Sequence, residues 1–222
     1  MQATVSQLSS ASAPLSDTQR VKQLQELARS NPAAASQDAW SLFQELQAGS
    51  NHYRLPGLFA QGAAPQAPDG DCEGIVMNLY GSPWLAGLDK MVRLGQKLGG
   101  IGWAGKTFDP KSGTGYNRLT RSSLIPARIT MPHYSLRKQG GELLGFDFHH
   151  RIEPSPITPH QEVRAITYDD PQFKNPLVMP RVRDEIVEIA PDVYLGRALL
   201  KVKHGWEVVG YFGLRYPAKG GR

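Results

Sequence analysis

The hydrophobic period of this chain changes near residue 71. Before that point apolar residues recur as they do on one face of a helix. After it most segments alternate apolar and polar, as in a half-buried strand. "GELLGFDFHHRIEP" and "QEVRAITYDD" both alternate, and "RDEIVEIAPDVYLGRALLKVKHGWEVVGYFGLRYP" reads as three strands joined by two tight turns, "APD" and "KHGW". "DCEGIVMNLYG", "IGWAGKTFD", "GYNRLTRSSL" and "ARITMPHYSLRK" supply further strands, the last interrupted by Pro132. About eight or nine strands, mostly hairpin-linked, imply an antiparallel sheet, which closes into a barrel because closure removes its exposed edges. The 23 Gly and 17 Pro, spread along the chain, suit short strands and turns. The expected class is therefore mainly β with N-terminal helices, an antiparallel barrel of about 8–9 strands. A barrel of that size can hold one small ligand.

Two amphipathic helices precede the change. The first opens at Ser16 or Asp17 and carries Val21, Leu24, Leu27 and Ala28 as its stripe; the second buries Trp40, Phe43 and Leu46 and stops at Gly49. The organisation read from the sequence is a disordered, Ser/Ala/Gln-rich tail at 1–15, a helical segment at 16–50, an irregular connection at 51–70 and the barrel domain at 71–222.

"GGIGWAGKTF" fits the phosphate-cradling pattern G-x-x-x-x-G-K-[ST] through Gly100, Gly105, Lys106 and Thr107. The flanks argue against a nucleotide site. A third helix is expected upstream at 83–98, opened by Ser82-Pro83 and stopped by Gly99-Gly100, where a phosphate loop needs a buried strand. Downstream, Pro110 and nearby glycines forbid the long helix that such a loop must open. The segment reads instead as a strand, with Trp103, Gly105 and Thr107 on one face and Ala104, Lys106 and Phe108 on the other.

Charge and cysteine content narrow the class further. The net charge of +5 is scattered, with neither a basic run nor a basic stripe with interleaved aromatics, so no nucleic-acid partner is expected. No apolar run is long enough to span a membrane, and the N-terminus lacks the features of a secretory signal. The one cysteine, Cys72, permits no intrachain disulfide and reads as a packing residue, so a cytoplasmic location is expected. A homodimer is left open.

Several motifs in order carry a resemblance. "AWSLFQEL", "DGDCEGIVM", "GSPWLAGLDKM", "GWAGKTFD", "AITYDDP" and "YLGRALLK…GYFGLRYP" are similar, in that sequence, to segments of the bacterial GXWXG-motif family with its C-terminal domain of unknown function. The chain departs from the pattern at Cys72, which stands for the tryptophan of the named motif, at Ser82, which stands for a histidine, and in a longer proline-rich segment at 171–183. The resemblance implies a calycin-like barrel, similar to lipocalins, and implies no particular reaction.

Candidate site residues follow from the alternation. His149 and His150 must face opposite sides of their strand, and His150 shares the apolar face of Phe146, Phe148 and Ile152, either as a hydrogen-bonded core residue or as a general base or ligand anchor. Tyr168 and Asp170, with Arg164, form either a turn cap or a polar cluster that orients a ligand carbonyl or carboxylate, with Asp170 as acid or base. Arg181 and Arg183 are either a surface pair against Asp184 and Glu185 or a clamp for an acidic head group. Lys106 is either an exposed strand residue or, among apolar neighbours, a nucleophile. Trp103, Phe148 and Tyr211 complete the expected apolar lining. His149, His150, Glu153 and His160 lack metal-ligand spacing, so neither metal nor cofactor is expected. The functional expectation is a barrel that binds a hydrophobic small molecule such as a lipid, polyketide or terpenoid. The alternative is a cofactor-independent cyclase or isomerase of natural-product biosynthesis acting in the same cavity, with His150 or Asp170 as its acid–base group.

Overall fold

The computed structural model describes residues 15–80, 102–124, 131, 133–176 and 178–217. The expected helix at 83–98, and residues 127–130 and 132 of the expected strand at 127–138, lie outside the described residues; of that strand's remainder Arg137 and Lys138 pair in the sheet. The N-terminal segment forms α1 (Asp17–Ser30) and α2 (Pro32–Ala48). Ser16 accepts from the Gln19 N–H while the Gln19 side chain accepts from the Ser16 N–H, which satisfies two of the orphan donors at the start of α1. Asn31 then caps α2, with Pro32 in the first turn, where its missing N–H costs nothing. The connection expected to be irregular begins with a 3-10 turn at His52–Arg54 and the short helix α3 (Leu55–Phe59). After a turn at residues 60–61, residues 62–69 form a strap with no helix or strand of its own.

Among the described residues nine strands follow: β1 (Gly70–Leu79), β2 (Trp103–Asp109), β3 (Thr114–Leu119), β4 (Arg137–Gln139), β5 (Glu142–Pro154), β6 (Glu162–Thr167), β7 (Val182–Ala190), β8 (Val193–Val202) and β9 (Gly205–Arg215). Every pairing is antiparallel. β9 returns to β1 and β3 pairs with β5, so eight strands close into a barrel and β4 adds a short extra strand beside β5. The expected mainly β fold with an antiparallel, lipocalin-like barrel and N-terminal helices is the observed one. The segment expected to continue as a strand through Leu124 ends at Leu119 and turns into a 3-10 helix at Arg121–Ser123.

The core has two parts, on opposite sides of the sheet. Outside the barrel, Val21, Leu24, Trp40, Phe43 and Leu46 of the helices pack on Val187, Val193, Leu195 and Tyr211 of the strands. Phe43 comes so close to β9 that a Cβ on Gly213 would lie 2.7 Å from its ring, so only glycine lets the helix dock there. Burying such a side chain contributes about 1.5–3 kcal/mol, so this outer layer is a large share of the fold's stability. Inside, Phe108, Phe148, Ile166, Ile186 and Phe212 form the second cluster with Cys72, Tyr168, Tyr194 and Leu214. No helix among the described residues is long and apolar enough to cross a membrane.

Two bulges re-aim side chains that strict alternation would misplace. Trp103 pairs with Leu119 but Gly105 with Arg118, so Ala104 is an extra residue in β2. Gly105 adopts φ +139, and a Cβ there would sit 1.9 Å from the Cys72 carbonyl oxygen. Trp103 is thereby turned onto the same side as Lys106, which corrects the expectation that they occupy opposite faces. The second bulge is in β5, where Phe146 takes φ +51 between the Gly145–Asn117 and Phe148–Gly115 pairs. Phe148 and His150 keep the inward alternation; Phe146 leaves it and stacks on Tyr134.

Candidate functional site

The expectation of an exposed Lys106 is overturned. Its side chain is 2% exposed and lies inside the barrel, because the bulge at Ala104 and Gly105 sets β2 in the inward register. The ammonium donates to Asn117 Oδ1 (2.9 Å) and Tyr168 OH (2.6 Å) and pairs with Asp184 Oδ2 (2.8 Å). Tyr168 OH donates to the same Asp184 oxygen at 2.6 Å. Trp103 Nε1 donates to Asn117 Oδ1 at 3.0 Å, and Asn117 Nδ2 donates to the Phe146 carbonyl at 3.0 Å. Four rings surround the ammonium: Phe148, Tyr168, Phe212 and Trp103, with centroids 5.2, 5.3, 5.5 and 5.7 Å from Nζ. That distance range suits cation–π attraction.

Burial lowers the Lys106 pKa, and the Asp184 carboxylate opposes that shift. The same burial, followed by the Asp184 charge, holds the Tyr168 hydroxyl well above its ordinary value. Trp103, Phe146, Met179 and Val182, packed against this inner cluster, are half-buried, so the cluster is thinnest on their side. The middle of the barrel is filled: Phe148, Ile166 and Ile186 are fully buried, and Phe108 and Phe148 are in ring contact at 5.5 Å. These side chains, from strands expected to line a cavity, pack against one another within the barrel.

The other end of the barrel is built differently. Arg164 projects inward from β6 and is buried, donating from Nε to the Pro65 carbonyl (2.7 Å), from Nη2 to the Gln66 carbonyl and from Nη1 to His150 Nδ1 (2.9 Å). The strap is thus pinned across this end, and an antiparallel bridge from Ala63 to Glu188 holds it as well. Because Nδ1 accepts, the imidazole is neutral with its proton on Nε2. Burial, then the Arg164 charge, lowers the His150 pKa; the Asp109 and Thr114 carbonyls beside the ring offset part of this. Nε2 itself makes no hydrogen bond of good geometry. Cys72 also lies inside, fully buried beside Tyr216, and burial pushes its thiol up to about 12. It is a packing residue in this setting rather than a thiolate.

Four expected site residues are placed elsewhere. Arg183 points out of the barrel, because it alternates with the inward Val182 and Asp184. Its Nε donates to Glu185 Oε1 at 2.9 Å and its Nη1 pairs with Glu153. Glu185 also accepts from Arg197 Nε (2.8 Å) and Ser155 Oγ (3.0 Å), and Arg197 lies 4.1 Å from the Phe59 ring centroid of α3. Tyr211 faces the helices, in edge contact with Phe59 and Tyr80, because it is one residue out of phase with the inward Phe212. Asp170 caps the 3-10 turn at Pro171–Phe173 and pairs with the outward His149 at 2.8 Å; that bond is the main cause of its lowered pKa. Arg181 binds the Lys201 carbonyl on the surface.

The expected residues that do converge inside are Trp103, Phe148 and Tyr168 at one level and His150 and Arg164 at another. Two members of the Lys106 cluster were not singled out from the sequence, though a signal for both existed. Asn117 shares a strand face with the buried Leu119, and Asp184 with the buried Ile186. Comparisons with protein-family models, curated proteins and solved structures return no match for this chain.

Proposed function

We propose that the barrel binds an apolar small molecule of lipid, polyketide or terpenoid type, whose one polar group reaches the Lys106–Tyr168–Asp184–Asn117 cluster. The observation that carries the reading is a lysine, with its carboxylate and phenol, set in a cage of four aromatic rings. Such a site offers apolar contact area and a few directional polar groups, the usual composition of a small-molecule site. Trp103, Lys106 and Tyr168 come from the two segments "GWAGKTF" and "AITYDDP", both among those that resemble the GXWXG-motif family, and they meet here. Membership in that family is part of the proposal. A ligand reaches the cluster by swinging the half-buried Trp103 indole off Asn117. Native mass spectrometry of the purified chain, followed by solvent extraction, tests the reading. The expected result is an apolar compound bound one to one, and its loss from Lys106→Met. A chain that retains nothing and binds no apolar probe refutes it.

One observation favours a second reading, an isomerase or cyclase. Tyr168 OH lies 2.6 Å from both Lys106 Nζ and Asp184 Oδ2, so a proton can pass along the three groups. His150 and Asp170, the acid–base groups expected from the sequence, lie outside this relay. Deuterium incorporation into the extracted compound in heavy water, absent in Tyr168→Phe, separates the enzyme from the carrier.

A further inference from the structure

We infer that Lys106 captures the carbonyl group of an apolar aldehyde or ketone as an imine. The inference rests on the proposed apolar ligand and names its reactive group.

Among the described residues Lys106 is the one buried lysine, and its surroundings contain each part that imine formation needs. An amine must lose its proton before it can attack. Asp184 stands 2.8 Å from Nζ as the acceptor, and burial of the lysine eases loss of its proton. The attack places a negative charge on the carbonyl oxygen. Tyr168 OH, 2.6 Å from Nζ, is within reach to donate to that oxygen. Asn117 Oδ1, at 2.9 Å, holds the amine in place. The rings of Phe148, Phe212 and Trp103 exclude the water that would hydrolyse the product.

The atoms balance as follows. The Lys106 ammonium passes a proton to Asp184, and the nitrogen lone pair forms a bond to the carbonyl carbon as the carbonyl π pair moves to oxygen. That oxygen takes a proton from Tyr168, which regains one from the nitrogen through Asp184. The resulting hydroxyl leaves as water with the remaining proton of Asp184, and the nitrogen lone pair closes the C=N bond. The net change is R–CHO plus the ammonium giving R–CH=NH⁺–Lys106 plus water. No oxidant or reductant is consumed, and Asp184 ends as the carboxylate counter-ion of the protonated imine.

The test uses the full chain with decanal as probe and sodium cyanoborohydride as trap, and decanol as a non-reactive isostere. The expected result is one adduct per chain at equimolar probe, with the mass of decanal less one oxygen atom, located by peptide mapping at Lys106. Excess decanol should suppress it, and Lys106→Arg should abolish it. At saturating decanal the trapping rate of Asp184→Asn should fall at least tenfold, because the amine loses its proton acceptor. If Lys106→Arg does not fold, the peptide map of the unmodified chain and the Asp184→Asn rate decide alone. Decanol and decanal that both bind, with adducts spread over surface lysines and none at Lys106, would overturn the imine and leave the apolar site standing. Failure of both probes to bind would overturn the two together.

Discussion

Asp184 and Glu185 are neighbours on β7, and each holds a buried cation on its own side of the sheet. Inside, Asp184 meets a lysine, a tyrosine and, through the lysine, an asparagine. Outside, Glu185 meets two arginines and a serine, roofed by the Phe59 ring. Arginine keeps its charge under all ordinary conditions, and its planar fork fixes direction, so the outer cluster has no proton to exchange and acts as a clasp between barrel and helices. Lysine, tyrosine and aspartate are linked by short hydrogen bonds along which a proton can move, so the inner cluster, unlike the outer one, has a path for proton transfer. Arg164, also inside, fits the same division. Its partners are two carbonyls and a neutral imidazole, and it serves to tie down the strap.

The largest effect that would break this contrast comes from the outer side. Glu185→Leu leaves Arg197 buried without its carboxylate, and urea unfolding should show a loss of about 3–5 kcal/mol. A loss below about 1 kcal/mol would mean that the clasp is not one. The inner side should respond less and recover more. Lys106→Met should cost about 2–3 kcal/mol at neutral pH, because it leaves the Asp184 carboxylate buried beside Tyr168 without its cation. Adding Asp184→Asn should restore most of that stability while apolar ligand binding stays lost. If the double variant is as unstable as the sum of the two single ones, the inner cluster is as structural as the outer.

The smallest effect is pH dependence at the pinned end. The folded pKa of His150 is lowered, so in acid the unfolded chain binds the extra proton. Its contribution to stability is therefore complete above the ordinary histidine range, about 6.5, and is lost as pH falls below it. Protonation also removes the lone pair that Arg164 uses and sets two cations side by side, opposed by the Asp109 and Thr114 carbonyls and the Asp109 charge. His150→Phe should abolish this slope. It should also lower stability at neutral pH by about 1–3 kcal/mol, since an Arg164 N–H loses its acceptor. An unchanged slope would assign the acid response elsewhere.

The sequence disclosed the barrel because a period of two, sustained over hairpin-linked segments, has few other solutions. It did not disclose the site as well, for local reasons. One inserted residue, Ala104, reverses the phase of β2, so Trp103 and Lys106 diverge by parity in the sequence yet meet in the fold. The positive φ of Phe146 does the same in β5, with no glycine there to announce it. Arg183 and Tyr211 lie in regular strands, and their outward side was fixed by parity against Ile186 and Phe212. Which parity faced inward depended on where the helices dock. The partners of Arg164 are backbone carbonyls almost a hundred residues away, and a carbonyl leaves no mark in a sequence.

The lone thiol inside the barrel gives the molecule a clock. Cys72 is the chain's one cysteine, and while its surroundings stay closed no alkylating reagent can reach it. Where reclosing outpaces the reagent, the labelling rate is the intrinsic thiol rate multiplied by the fraction of time the barrel stands open. Each labelled chain gains one mass increment, so no peptide map is needed to read the result. Any compound that binds the closed barrel slows the clock by the factor 1 + [L]/Kd. A library of apolar compounds can therefore be ranked by how long each keeps Cys72 silent, before the chemistry of any of them is known.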